Sequence, residues 1–143
     1  MDHEQIVTNL IDIFAENDIE AFRLKCDTPT VTIHPDALGE QKDRSVQMNI
    51  TPIHIDDDYI IFQIHTIISG CTDPKSHTDI VKALNEINIA TMCGAYVLMP
   101  EDDLVIHRHT VSTTPDSYEV MVALAVNDVL TAIDKDMSLL TEI

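Results

Sequence analysis

The side chains that could hold a metal or move a proton include seven histidines and three cysteines. His107 and His109 stand two apart in the apolar, β-branched run from Leu104 to Val111. On a strand they point to the same face. A zinc site needs three or four ligands. His54, His65 and Cys93 could complete such a set only if the strand order carried them to that face. The expectation is solvated strand-face histidines, with no metal site and no cofactor. A sensor of metal or small molecules on the His107 and His109 face is the alternative reading.

Cys26, Cys71 and Cys93 are an odd number without a CxxC spacing, which argues against a disulfide framework or a zinc ribbon. Buried or inert thiols in a reducing cytosol are expected. Asp56-Asp57-Asp58 lacks the spaced acids, glycine and distal glutamate of a calcium loop, so it reads as a solvated turn. Glu101-Asp102-Asp103 reads the same way. No GxSxG elbow is present, and the three glycines form neither GxGxxG nor a phosphate-binding loop. No catalytic residue nominates itself, and the expected activity is binding without turnover.

The net charge of −17 disfavours phosphate backbones and anionic membranes as partners. An aromatic content of 4% supplies no stacking platform for single-stranded nucleic acid. Basic or apolar protein segments remain. Met1-Asp2-His3-Glu4 does not read as a signal peptide. Tyr59 to Ile68, the most apolar stretch, is interrupted by Gln63 and His65 and is too short to span a bilayer. A cytoplasmic protein is expected. At 143 residues and 45% hydrophobic content, one domain can bury a core without disulfides or metal.

The elements that must position these side chains follow from periodicity. Asp2 caps a first helix whose stripe is Ile6, Leu10, Ile13 and Phe14, ending at Glu16-Asn17-Asp18. Ile19 to Cys26 fits either a helix tail or a short strand. Thr30 to Ile33 is a β-branched strand, and Pro35 to Arg44 a loop. Val46, Met48 and Ile50 alternate in even register, whereas Ile53 and Ile55 alternate in odd register. One buried face survives that switch only if a residue is inserted, so a bulge is predicted at Thr51-Pro52, with Pro52 at an edge or unpaired position. Tyr59 to Ile68 is apolar on both faces and reads as a central strand.

A second helix starts near Asp73-Pro74 or Ser76, with Ile80, Val81, Leu84 and Ile87 as its stripe. Gly94 stops the helical run and turns the chain into a hairpin of 95–99 and 104–111. Thr114-Pro115 begins a last helix, with Val122, Ala125, Val126, Val129, Ile133, Met137 and Leu140 inward. The fold class is α+β, helices against an antiparallel sheet, in the order α-β-β-β-α-β-β-α.

Leu84-Asn85-Glu86-Ile87-Asn88, Gly94 to Leu98 and Asp103 to Arg108 resemble the signature of the YbjN-like domain family. The likeness is clear over residues 76–143 and lies only in element order over 1–70. It implies a fold similar to class I type III secretion chaperones, often dimeric, and a role described for the family as bacterial sensory transduction regulation. It implies no catalytic residue. The basic His107-Arg108-His109 continuation departs from the family's hairpin. Asn85, Asn88 and Gly94 are the signature positions. The two asparagines share a helix face, and their amides can bond the unpaired terminal carbonyls of the helix or the backbone of the adjoining strand. Tyr96, Leu98, His107 and His109 are the expected partner surface, for a protein or peptide or for a second copy in a homodimer.

Overall fold

The computed structural model describes residues 1–33, 47–68 and 77–140. α1 runs His3–Glu16, and the Gln5 N–H donates to Asp2 Oδ1 at 2.8 Å, the expected cap. Asn17 and Asp18 end it, Asp18 at φ 60. The ambiguous stretch after it forms a strand, β1, Ala21–Leu24. β2 is Thr30–Ile33, β3 Gln47–Ile55 and β4 Ile60–Ile68. α2 spans His77–Ala90, β5 Ala95–Met99, β6 Leu104–Thr113 and α3 Tyr118–Leu140. The α+β order is the expected one with β1 added. The 35–44 loop, the position of Val46, the close of β4 beyond Ile68, Cys71 and the two proposed starts of α2 lie outside the described residues.

Among the described residues the sheet has six strands in the order β1-β2-β3-β4-β6-β5, every pair antiparallel. β4 is central, as its two apolar faces suggest. One face is buried through Ile60, Phe62, Ile64 and Ile68, while Ile61, Gln63, His65 and Ile67 on the other are half-buried. The helices close the first face. α1 lies over β1 to β3, α3 over β4 and β6, and α2 along β5. Val7, Leu10, Val122, Val126 and Ile133 pack there with Ile33, Met48, Ile50 and Val105. Asn9 on α1 donates to the Tyr118 hydroxyl of α3 at 2.7 Å, tying the two helices over the core.

The bulge is present. Pro52 pairs with Phe62 and His54 with Ile61, leaving Ile53 as the extra residue. This returns Ile55, opposite Ile60, to the face of Met48, Ile50 and Pro52. Ile53 is 50% exposed, so the inserted residue is an isoleucine that gains nothing from the core. Pro52 lies past the last β2 pair, Val31 with Ile50, where a missing N–H costs no ladder bond. The last helix begins one turn later than its cap residues suggest. Thr114 to Ser117 make a turn in which Ser117 and Tyr118 both donate to the Thr114 carbonyl.

Candidate functional site

β5 is an edge strand, and α2 runs beside it. Near the end of α2, the Asn88 side chain accepts from the Tyr96 N–H at 2.7 Å and donates to the Tyr96 carbonyl at 3.0 Å. One amide thus replaces the peptide of a missing neighbour strand. Backbone groups in an antiparallel ladder alternate in direction. Tyr96 therefore aims its groups away from β6, and so does Leu98 two residues on. Asn85, one turn earlier, shares the helix face but makes no side-chain hydrogen bond among the described residues. Only one of the two signature asparagines ties helix to strand.

Toward the N-terminal half of α2 the helix and strand stand apart. A groove of about 640 Å³ lies between Val81, Leu84 and Asn85 on the helix and Val97, Leu98 and Pro100 on the strand side. Its surface is mostly apolar. Val81 is 43% exposed, because the inward stripe of α2 is Ile80, Leu84 and Ile87, and the expected place of Val81 in that stripe is not met. Val97 and Met99 are also exposed. His77 closes one end, its Nε2 2.6 Å from Asp103 Oδ1, which joins the groove to the acidic hairpin tip. Asp103 holds φ 51 there, one of the two non-glycine residues with positive φ among those described.

The four expected surface residues do share one face of the sheet, but it is the face the helices cover. Leu98 is half-buried in the groove wall. Tyr96 is 2% exposed, and its hydroxyl donates to Asp136 Oδ2 at 2.7 Å. Thr91 donates to the same oxygen at 2.7 Å. Burial first, then this bond to a carboxylate, pushes the Tyr96 phenol far above its ordinary value. His107 is fully buried, so it is not the solvated or partner-facing residue that its spacing suggests. Its Nε2 lies 2.8 Å from the Cys93 carbonyl, and therefore carries the proton. Its ring meets that of Tyr96 edge-on at 4.9 Å. Burial holds the His107 imidazole below its ordinary pKa. β6 lies between β4 and β5 under α3, which seals His107, whereas Tyr96 on β5 is closed in by α2 and by Asp136 of α3.

Gly94 does not cap α2, which ends at Ala90; it turns the chain into β5 at φ +64. A Cβ there would stand 2.6 Å from both the Arg108 carbonyl and the His107 ring. His109 is half-buried beside a smaller hollow of about 340 Å³ with Met121, Leu124 and Asp128. His65 pairs with Arg108 on the opposite face of the sheet, and His54 contacts Asp56 at 2.7 Å beyond the bulge. Burial, then the Arg108 charge, lowers the pKa of His65. Among the described residues no group of three or more His, Cys, Asp or Glu is placed to hold a metal ion.

Sequence reasoning misses Asp136 and the exposure of Val81. Asp136 sits among the apolar positions of α3 at i+3 from Ile133, and that spacing was the available signal. Val81 flanks the stripe, where periodicity alone cannot separate boundary from core. No family model, no curated protein and no solved structure matches this chain. No helix among the described residues is long and apolar enough to cross a membrane.

Proposed function

We propose that this chain is a protein-binding module of adaptor or chaperone type, which buries an apolar partner segment in the groove between α2 and β5. The observation that carries the reading is the half-guarded edge. Asn88 closes β5 at Tyr96, while Leu98 turns an N–H and carbonyl outward with no partner among the described residues, next to the exposed Val81 and Val97. Unpaired edge backbone beside an apolar cleft is the geometry by which extended peptides dock. The work is binding, without turnover. The likeness of residues 76–143 to YbjN-like domains, and through them to secretion chaperones, points the same way. On this reading the protein is cytoplasmic and homodimeric, with a place in bacterial signalling or stress regulation.

The test is an amide-shift titration with an unlabelled octapeptide rich in leucine and valine. Shifts should centre on Val81, Val97, Leu98 and Asn85. Val81→Gln, on an exposed helix position, should weaken them without lowering Tm. Shifts confined to other surfaces, or none at millimolar peptide, would overturn the reading. Light scattering at two protein concentrations tests the dimer.

A further inference from the structure

The groove's boundaries restrict what can occupy it, and the following step rests on its being the docking site. Outward-facing backbone positions along β5 fall at Tyr96 and Leu98, and the strand gives way to the turn at Pro100. Asn88 occupies the first. Pro100 has no N–H to give. An added strand therefore finds a full donor–acceptor pair at Leu98 alone. Two backbone bonds do not hold a peptide by themselves, because each only replaces a hydrogen bond to water and contributes little net. Side chains must supply the rest.

Two kinds of side-chain contact are on offer. Val81, Leu84 and Leu98 offer an apolar socket on the floor and wall of the cleft. Beyond Pro100 the chain turns through Glu101, Asp102 and Asp103, all exposed, and Asp103 reaches the groove through His77. Glu86 lies exposed next to Asn85 on the helix side. Against these acids the groove wall offers one ammonium among the described residues, Lys82. The whole chain carries −17, so the far field has the same sign as the rim.

We infer that the partner segment is extended, apolar at its centre and basic at its flank, with its apolar side chain between α2 and β5 and its lysine or arginine on the Glu101–Asp103 tip. Asn88 sets the register, since it ends backbone pairing at Leu98, two residues short of Tyr96. A second copy of this chain fits the rim poorly, because acidic rims would meet.

Three fluorescein-labelled octapeptides decide it. All share a Leu-Val-Leu centre, flanked on both sides by lysine, by glutamine or by glutamate. Anisotropy titration should show the lysine peptide at least tenfold tighter than the glutamate peptide. The gap should close in about 0.5 M NaCl, where charges are screened within a few ångströms. A double variant, E101Q with D102N, should narrow the gap in low salt while leaving the glutamine peptide's affinity unchanged. Equal binding of all three, or tightest binding by the glutamate peptide, would overturn the basic-flank assignment and leave the groove in place. Binding by none of them would overturn both.

Discussion

Among the described residues β1 and β5 each have one side without a strand neighbour, and each exposes apolar side chains: Phe22 and Leu24 on one, Val97 and Met99 on the other. They are guarded differently. β1 has four residues and carries Arg23, paired with Glu4 of α1, followed by Lys25. Shortness and charge make it a poor template for another strand. β5 has no charge along its five residues. Its guard is one amide, Asn88, which satisfies one backbone position and leaves the next open. A charged edge repels indiscriminately and weakens with salt. An amide plug is unaffected by salt and selects a position. The edge that is selectively open is the one beside the groove.

The contrast can be broken at the turn that seats β5. Gly94→Ala places a Cβ against the Arg108 carbonyl and the His107 ring in a left-handed conformation. The expected loss is roughly 3 kcal/mol, read from chemical denaturation. A loss too small to resolve would mean that β5 is held loosely and the groove is not a fixed feature.

Asn88→Ala comes next. It strips a bonded donor and acceptor from Tyr96, for an expected loss of about 1–2 kcal/mol. It also lengthens the open edge, so size-exclusion profiles should shift to larger species with rising concentration. Arg23→Ala should not produce that shift.

The buried His107 gives a pH test on the β5 side alone. Its folded-state pKa is held below the ordinary value of 6.5 by burial. As pH falls below about 6.5 the unfolded chain takes up a proton that the folded chain refuses. The contribution is present above that pH and is lost as pH falls toward the folded value. His65 shifts in the same direction from a half-exposed site, so the comparison needs a variant. Denaturation midpoints at pH 7.5 and 5.5 should fall further apart in the parent than in His107→Phe. Equal differences would show that His107 is not the buried neutral group described.

The smallest effect is expected at Arg23→Ala. The Arg23–Glu4 pair is exposed on both sides, and such pairs contribute little. Melting in low and high salt should coincide with the parent. A clear drop in low salt alone would mean that charge does more for β1 than its exposure implies.

Local physics made much of this molecule legible. The cap at Asp2, the hairpin of β5 and β6, and a bulge forced by the register switch at Thr51-Pro52, found one residue on at Ile53, are read from neighbours a few residues apart. So are the stripes of α1 and α3. Each depends on a period or a turn that the chain carries with it. Ile19 to Cys26 is too short to separate two periods, and pairing with β2 makes its middle four residues, Ala21–Leu24, a strand.

The site was less legible. Asn85 and Asn88 are the same residue one helical turn apart, yet one plugs a strand edge and the other lines a groove. His107 and His109 share a face, yet one is sealed and the other half-open. Asp136 lies in the core because Tyr96 and Thr91 meet it there. Periodicity tells which side chains point the same way. The insertion of β6 between β4 and β5, with α2 flaring from the edge, decided what lies in that direction, because strand order is set by contacts between segments far apart in the chain.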